Sequence, residues 1–397
     1  MEINASDFRD IDPDERILMG PGPSNVHPRV MQAIAAPCIG HLDPYYLSIM
    51  DEIKVLLRFL FQTKNEMTLS VSGTGTAGME ACLANLIEPG DEVVVCVNGV
   101  FSARICDIAN RLGAKLTRVD GEWGRAIDPE KVQSVIKGMT PKLVAAVHAE
   151  TSTGACQPVE DLAQIAHEAG ALFLADTVTS LGGMDVSLDR MGIDVAYSGT
   201  QKCISCPPGL APVSFNKRAM ETVENRKSPV VSLYLDMGLL KTYWDNDGRA
   251  YHHTGPINMN YALREALRLI AEEGLEPRFA RHLLNHKALV AGIEAMGLSM
   301  LVPQGERLPT LNTIRIPDGA DDVKVRGVLL NDFGIEIGGG LGELAGKIWR
   351  VGLMGHTSSR RNVLLFLAAL ETVLRAEGVK VKTGALEAAS EIYSAAS

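Results

Sequence analysis

The chain has 397 residues, 46% of them apolar and 22% charged, which allows a large buried core and excludes a wholly disordered protein. Its 38 Lys and Arg residues against 48 Asp and Glu residues give a net charge of −10, which argues against general binding to nucleic acid or to anionic membranes. The seven cysteines are scattered, and the sequence shows neither a secretory signal nor an apolar run long enough to span a membrane, so we expect a cytoplasmic protein.

Short apolar runs alternate with amphipathic stretches from about residue 66 to residue 216. The runs are continuously apolar, which is typical of parallel strands that helices cover on both faces. The predicted strands are Thr68–Val71, Glu92–Val97, Leu116–Val119, Leu143–His148, Leu172–Ala175, Val195–Tyr197 and Ala211–Phe215. The predicted helices are Ala77–Leu86, Ala103–Leu112, Pro129–Ile136 and Val159–Ala169. We therefore predict an α/β fold with a mostly parallel, seven-stranded sheet and with functional residues at the carboxyl ends of its strands.

After Pro256 the pattern changes to long amphipathic segments, and then to a mixture of short strands and helices. The predicted elements are Tyr261–Glu272, Arg278–Ala295, Leu311–Ile316, Val323–Asp332, Ile335–Ile337, Ile348–Val351 and Asn362–Ala376. The chain contains no flexible linker, so we expect its parts to pack together. The predicted division is an N-terminal extension (1–19), a large α/β domain (20–274) and a smaller α+β domain (275–397).

A glycine-rich loop, Gly73–Gly78, reads G-x-G-x-x-G between a predicted strand and a predicted helix. This pattern is typical of a dinucleotide site, in which the pyrophosphate binds at the helix N-terminus, and it admits an NAD-dependent dehydrogenase. That site also needs an acidic residue at the end of the next strand, to bind the ribose. The next strand ends at Asn98, whereas Asp91 and Glu92 lie at its start. The loop alone thus predicts either a structural turn or a cradle for one phosphate.

Asp176 and Lys202 each follow a predicted strand, so both should lie at the sheet edge that carries the glycine-rich loop. Carbanion chemistry on an amino acid needs an amine that binds an aldehyde, a ring that accepts electrons, and an anion that keeps the ring nitrogen protonated. Lys202, Asp176 and the loop residues Gly75–Ala77 could supply the aldehyde anchor, the ring-nitrogen partner and the phosphate seat for pyridoxal 5′-phosphate (PLP).

Several longer motifs accompany these residues: Gly20–Pro23, Glu150–Gly154, Ala175–Gly183, Ser198–Lys202, Pro207–Gly209, Tyr251–Thr254 and Arg350–Gly355. With them the chain resembles the class V aminotransferases of the fold-type I PLP enzymes, and within these the alanine–glyoxylate and serine–pyruvate group. The resemblance covers most of the chain and implies a transaminase with PLP as its cofactor. It gives no reason to expect a metal site, since the single Cys203-x-x-Cys206 pair offers too few ligands for zinc.

The resemblance implies a role for each matching residue. Lys202 would carry the cofactor and then move the proton of the substrate Cα, and Asp176 would pair with the ring nitrogen. Phe101, where many relatives have Trp, would stack on the ring, and Val178 would pack on its other face. The full set of implied cofactor contacts is Gly75, Thr76, Ala77, Phe101, Thr151, Asp176, Val178, Gln201, Lys202, Tyr251 and Thr254. The last two match residues that reach the phosphate of a neighbouring subunit, so a homodimer with shared active sites is implied.

The implied substrate contacts are Arg350, His41 and Gly22. Arg350 matches the family's clamp for the substrate carboxylate, which a planar guanidinium can hold with two hydrogen bonds. His41 and Tyr251 follow the pattern of enzymes that use alanine or serine, whereas the ureidoglycine–glyoxylate enzymes have Gln and Asn there. This favours ping-pong transfer of an amino group from alanine or serine to glyoxylate or pyruvate, through pyridoxamine phosphate. (S)-Ureidoglycine stays open as an alternative donor.

Overall fold

The computed structural model describes residues 3–4, 8–245 and 249–396. Its strands are β1 (Ile17–Leu18), β2 (Met67–Ser72), β3 (Glu92–Val97), β4 (Lys115–Asp120), β5 (Leu143–Val147), β6 (Ala149–Glu150), β7 (Ala155–Cys156), β8 (Leu172–Asp176), β9 (Val195–Tyr197), β10 (Leu210–Phe215), β11 (Leu311–Arg315), β12 (Ile335–Glu336), β13 (Gly338–Gly339) and β14 (Ile348–Gly352).

The helices are α1 (Pro28–Ile34), α2 (Pro44–Phe61), α3 (Gly75–Leu86), α4 (Val100–Arg111), α5 (Pro129–Ile136), α6 (Glu160–Glu168), α7 (Leu188–Met191), α8 (Lys217–Glu224), α9 (Met237–Trp244), α10 (Ile257–Glu273), α11 (Leu275–Ala295), α12 (Asp322–Phe333), α13 (Arg360–Ala376) and α14 (Ala385–Ala395). Within the described residues, none of these helices combines the length and the apolar character needed to cross a bilayer.

The large unit is built on a seven-stranded sheet in the order β2-β10-β9-β8-β5-β3-β4. The strands from β9 to β4 run parallel, and β10 is antiparallel to both of its neighbours. All residues of β5 and β8 are buried, as expected for strands that helices cover on both faces. The prediction of a mostly parallel, seven-stranded sheet is therefore confirmed, and each predicted strand end lies within one residue of the observed one.

This strand order contradicts the dinucleotide interpretation of the glycine-rich loop. In a dinucleotide-binding sheet the strand before the loop and the strand that ends in the acidic residue are neighbours. Here the loop follows β2, which pairs only with β10 at the sheet edge, whereas β3 lies between β4 and β5. A cofactor on the loop could not reach the end of β3 in the manner of a dinucleotide.

The helix after the loop, α3, begins two residues before the predicted start, at Gly75. Close packing explains why small residues are needed there. A Cβ atom on Gly78 would lie 2.9 Å from the Cβ of Ala211 in β10, and one on Gly75 would contact the Cα of Gly199 at 3.6 Å. The glycines therefore bring the N-terminus of α3 against the carboxyl edge of the sheet.

The apolar core forms two large clusters, one from Val30 to Ile270 and one from Ala288 to Tyr393. The second lies around the antiparallel sheet β11-β14-β13 and its helices, and it includes Met19. Strand β1 also pairs with β12, in parallel. We propose that the two domains divide at Gly274, between α10 and α11, with the residues of β1 packed against the C-terminal unit.

Candidate active site

The carboxyl ends of β8 and β9 bring two polar residues together. Asp176 is the last residue of β8, Tyr197 is the last residue of β9, and the two are paired in the sheet register. Lys202 lies in the turn that follows β9, and Thr151 lies in the turn between β6 and β7. The sheet therefore collects these side chains at one edge, where the sequence predicted functional residues.

Asp176 is buried, and each of its carboxylate oxygens accepts one hydrogen bond. The Tyr197 hydroxyl donates to Oδ2 at 2.7 Å, and the Val178 amide donates to Oδ1 at 2.8 Å. Burial raises the pKa of Asp176 to about 7, although both hydrogen bonds oppose this rise. Asp176 forms no ion pair within the described residues, and the charge of Lys202 is the smallest of the causes that act on its pKa, so this carboxylate is suited to a cationic ligand.

Lys202 is 8% exposed, and its Nζ donates a hydrogen bond to the carbonyl oxygen of Pro21. The backbone of the next residue, Gly22, lies against the lysine side chain. A Cβ atom there would be only 2.7 Å from Nζ, and Gly22 has a φ of +104°, so glycine is required at this position. Burial and then the charge of Arg350 lower the pKa of Lys202 to about 8. Near neutral pH a larger fraction of this amine than of an ordinary lysine is therefore unprotonated and nucleophilic.

Arg350 extends from the middle of β14 and is 6% exposed. Its Nε donates to the carbonyl oxygen of Gly339 at 2.7 Å and its Nη1 to that of Thr151 at 3.2 Å. No carboxylate in the described part of the chain forms an ion pair with it, and burial lowers its pKa to about 10, against the raising effect of Glu150. A buried guanidinium without an anion is costly, so this one is suited to an anionic ligand.

Glu150 is fully buried and organises the N-terminus of α4. Its carboxylate accepts hydrogen bonds from the amide and hydroxyl of Ser102, at 3.1 and 3.2 Å, and from the hydroxyl of Ser152, at 2.6 Å. The Phe101 amide also donates to it, at 3.4 Å. The approach is close enough that a Cβ atom on Gly99 would lie 2.4 Å from the carboxyl carbon. One carboxylate thus joins α4, which carries Phe101, to the turn that carries Thr151.

Phe101, Val178 and Thr76 lie near the N-termini of α3 and α4. The Phe101 ring is half-buried, with the guanidinium of Arg104 at 5.1 Å from its centroid. Nη1 of Arg104 also donates to the hydroxyl of Thr76 at 3.4 Å. A side-chain methyl of Val178 lies 3.5 Å from the Cβ position of Gly75. The Thr151 hydroxyl is 2.5 Å from the Thr179 hydroxyl and is buried.

The predicted phosphate seat has free donors. The amides of Gly75 and Thr76 make no hydrogen bond in the described chain, and no side chain caps α3. The Ala77 amide instead donates to the Thr74 carbonyl at 2.7 Å. The side-chain Oε1 of Gln201 is buried and has no partner among the described residues. Free amides at a helix N-terminus are suited to a phosphate, whereas the Gln201 oxygen is an acceptor and is suited to a hydrogen-bond donor of a ligand.

The remaining predicted residues form a second group, in which Tyr251 and Thr254 are exposed and His41 is half-buried. The ring of His41 lies 5.3 Å from the ring of Tyr251, whose hydroxyl is 3.5 Å from that of Thr254. The neighbouring His253 has its Nε2 2.8 Å from Oγ of Ser72, at the end of β2. None of these contacts in the described chain reaches Lys202, Asp176 or Arg350. The structure therefore places the predicted residues in two groups, one buried and one at the surface.

Three residues with clear places in the site were not predicted to act there: Tyr197, Arg104 and, as a helix cap, Glu150. The sequence carries a signal for Tyr197, because this polar residue ends a predicted strand, and that strand neighbours the strand of Asp176 in the sheet. The sequence carries no such signal for Arg104 and Glu150, since their places depend on how α4 packs.

No cluster of three or more His, Cys, Asp or Glu residues in the described ranges is arranged to hold a metal ion.

These features fit PLP on three independent points. The amides of Gly75 and Thr76 offer unused donors for a phosphate, and Asp176 is a buried carboxyl without an ion-pair partner in the described chain, as a protonated ring nitrogen requires. Lys202 is a buried amine with a lowered pKa, as attack on an aldehyde requires.

Comparisons with known proteins agree with this assignment. The model of the class V aminotransferase family matches residues 20–352. The chain is 49% identical to an alanine–glyoxylate aminotransferase of Nostoc sp., whose crystal structure superposes with a TM-score of 0.92 over 94% of this chain and 100% of that one. For a ureidoglycine–glyoxylate aminotransferase of Bacillus subtilis the identity is 43% and the TM-score 0.95, over 97% and 100% of the two chains. An alanine–glyoxylate aminotransferase of Callithrix jacchus is 40% identical over 91% of this chain and 88% of its own.

The fold and the site define a PLP-dependent transferase of the α/β type. More narrowly, the chain belongs to the class V aminotransferase family, as the family model and these relatives show. The protein is therefore an aminotransferase that uses PLP, and the NAD-dependent dehydrogenase interpretation is wrong.

Proposed function

We propose that the protein transfers the amino group of alanine or serine to glyoxylate or pyruvate. The observation that carries this proposal is Arg350, a buried guanidinium with no acidic partner in the described chain, next to the buried amine of Lys202. The close backbone of Pro21 and Gly22 leaves little space beside Lys202, which favours a small substrate side chain. The higher sequence identity to the alanine–glyoxylate enzyme of Nostoc sp. supports the same choice.

In the proposed mechanism, bound PLP supplies an aromatic ring that takes up the charge left when the Cα–H bond breaks. Gly75, Thr76 and Gln201 would hold its phosphate. Arg350 would bind the substrate carboxylate with two hydrogen bonds and so fix which bond at Cα can break. Lys202 Nζ would take the proton from Cα and release it later in the same half-reaction.

The remaining proposed contacts orient the ring. Asp176 would hold its negative charge against the ring nitrogen, while Phe101 and Val178 would pack on the two faces. The Thr151 hydroxyl would lie near the ring oxygen. We also propose that Ala77 contacts the phosphate, because it lies in the first turn of α3, and that Gly22 contacts the substrate, because it lies against the side chain of Lys202.

We propose that the enzyme is a homodimer and that Tyr251, Thr254 and His41 complete the site of the partner. Support comes from the exposure of Tyr251 and of its apolar neighbours. Leu42 and Tyr45 follow His41 in the chain and are exposed. Exposed apolar side chains grouped in this way are typical of a subunit interface.

A cytoplasmic location is part of the same proposal. All seven cysteines are free, which is typical of a protein that stays in a reducing compartment.

The deciding experiment is a donor screen with the purified holoenzyme. Alanine, serine and (S)-ureidoglycine are each offered with glyoxylate and with pyruvate, and kcat/KM is measured for every pair. We expect alanine or serine with glyoxylate to exceed ureidoglycine at least about tenfold, the factor for a difference of 1.4 kcal/mol in transition-state binding. A preference for ureidoglycine would overturn the proposed donor.

The control for this screen is Lys202→Ala. It should lose the visible absorbance of the bound cofactor and transaminate none of the donors, because the aldehyde anchor and the base are both removed.

A second candidate donor, (S)-ureidoglycine, has one observation in its favour. The TM-score to the ureidoglycine–glyoxylate enzyme of Bacillus subtilis is 0.95, above the 0.92 to the Nostoc enzyme. The same screen decides between the two.

A further inference from the structure

We propose that Tyr197 is a positioning residue that keeps the carboxylate of Asp176 ionised and aimed at the ring nitrogen of the cofactor. This inference rests on the proposed role of Asp176 and adds a residue to it. Tyr197 would not touch the cofactor and would act only through Asp176.

The position of Tyr197 is fixed by the sheet. It is fully buried and lies opposite Asp176 in the register of β8 and β9. Its carbonyl oxygen accepts hydrogen bonds from the amide and the hydroxyl of Thr177, at 2.9 and 2.8 Å. A Cβ atom on Gly78 of α3 would lie 3.3 Å from the Cβ of Tyr197, so the helix closes over this side chain. The phenol therefore has little freedom to turn away from Asp176.

The hydrogen bonds around Asp176 give the phenol a specific effect. Tyr197 donates to Oδ2 and Val178 donates to Oδ1, and both donors are neutral. A donor to both oxygens favours the ionised carboxylate over the acid, which would need one of these oxygens for its own proton. Burial and the charge of Asp176 raise the pKa of Tyr197 well above its ordinary value, so the phenol remains a donor at every working pH.

Asp176 and a pyridine nitrogen beside it would compete for a single proton. If the carboxyl takes that proton, the ring stays neutral and accepts electrons less well. By stabilising the carboxylate, the Tyr197 hydroxyl shifts the proton toward the ring. The Val178 amide belongs to the backbone, so Tyr197 is the donor that a substitution can remove.

The test compares two ligands of the apoprotein: PLP, and its 1-deaza analogue, in which a carbon replaces the ring nitrogen. The wild-type protein should bind PLP more tightly, because only PLP can pair with Asp176. In Tyr197→Phe we expect the ratio of the two affinities to fall about tenfold, as for the loss of one hydrogen bond to a charged group, with deaza binding unchanged. The NMR signal of ring-¹⁵N-labelled PLP should also move toward the neutral form.

Tyr393→Phe is the matched control. Tyr393 is another buried phenol, whose hydroxyl donates to Asn285 at 2.8 Å in the C-terminal unit, and its loss should leave the affinity ratio unchanged. If Tyr197→Phe does not yield folded protein, replacement of Tyr197 by 3,5-difluorotyrosine serves instead. This residue keeps the hydroxyl and is a stronger donor, so the ratio should rise.

Two outcomes overturn the inference: an unchanged ratio in Tyr197→Phe, or an equal loss of affinity for both ligands, which would mean a purely structural role. A wild-type protein that binds both ligands equally would contradict the role of Asp176 itself. The donor screen does not enter these binding measurements, so an error in the proposed substrate would leave their result unchanged.

Discussion

The two groups of predicted site residues differ in how far a single chain completes them. Asp176, Lys202 and Arg350 are buried, and nearly all of their polar atoms are held by hydrogen bonds from several elements. Tyr251 and Thr254 are exposed, and within the described chain their hydrogen bond and ring contact join them to each other and to His41. The contrast shows that packing within one chain holds the side chains of the first group in place. It agrees with our proposal that the second group completes the site of a partner subunit.

The buried group also carries an electrostatic cost that the exposed group avoids. Burial shifts the pKa of Asp176 upward and the pKa values of Lys202 and Arg350 downward. In each case the shift disfavours the charged form. We interpret these residues as prepared for ligands that bring the opposite charge.

Arg350→Gln removes the buried charge and should cause the largest loss. We expect kcat/KM for alanine to fall roughly 10²–10³-fold, because a charge-assisted, two-point hydrogen bond to the carboxylate is lost, while bound PLP stays stoichiometric. The pKa of Lys202 should rise as well, since the charge of Arg350 lowers it. Steady-state kinetics and a pH titration measure both effects. Arg326→Gln, which removes an arginine paired with Asp322 in α12, is the control and should change neither.

Asp176→Asn should stabilise the apoprotein at high pH. The ordinary pKa of Asp is near 3.8, and the folded value is about 7, so folding disfavours the ionised form. Stability from this group is therefore highest below pH 4, falls as the pH rises toward 7, and stays low above it. The amide removes that loss, and we expect a gain of roughly 2–4 kcal/mol in the free energy of unfolding at pH 8.

Urea denaturation of apoprotein at pH 8 and pH 5.5 measures this gain, which should be smaller at the lower pH. An Asn variant that is less stable than the wild type at pH 8 would contradict the idea that the carboxylate is kept for the cofactor. In the holoenzyme the sign should reverse, because the substitution weakens the pairing with the ring.

A mixing experiment tests the exposed group. One variant, Lys202→Ala, lacks the amine, and the other carries Tyr251→Ala and Thr254→Ala. If these side chains act on the partner's site, a mixed dimer has one intact site, and random reassociation should restore about a quarter of the wild-type activity. Activity is measured after reversible dissociation of the mixture, with each variant alone as the baseline. No recovery would mean that the residues serve their own chain or no site at all.

Phe101→Trp should give the smallest effect. A larger ring offers more stacking area, which is worth about 0.5–1 kcal/mol, so PLP should bind the apoprotein about two- to fivefold more tightly. Fluorescence titration of the apoprotein measures this affinity. Weaker binding would show that Arg104, which lies over the Phe101 ring, leaves no space for the indole.

The sequence predicted the sheet well and the site only in part, for a physical reason. A buried strand is encoded locally, as a continuous apolar run such as Val93–Val97, and its ends are visible in a few residues. The apolar spacing of Tyr46, Ile49, Ile53 and Leu57 in α2 is also visible in the sequence, although α2 is not among the predicted helices. The contact between Asp176 and Tyr197 depends instead on which strands are neighbours and in what register.

Local sequence patterns could not predict contacts between distant parts of the chain. The hydrogen bond from Arg350 to the Thr151 carbonyl joins residues 199 positions apart. Resemblance to a family named Arg350 as a contact, but no pattern in the sequence shows that it meets the turn of Thr151. The cap that Glu150 forms on α4 is of the same kind, since it depends on the approach of Gly99.

The pairing of β1 with β12 constrains how the enzyme is made. Residues 17–24 cross from the C-terminal unit to Lys202, where Ser24 donates a hydrogen bond to the Lys202 carbonyl at 2.7 Å. The hydrogen bond between Arg16 and Leu330 spans 314 positions. At a synthesis rate of about 5–20 residues per second, Leu330 is therefore made roughly 15–60 s after Arg16. Strand β1 therefore has no pairing partner until translation is nearly over, and an N-terminal fusion that slowed this last docking step would lower the yield of folded enzyme.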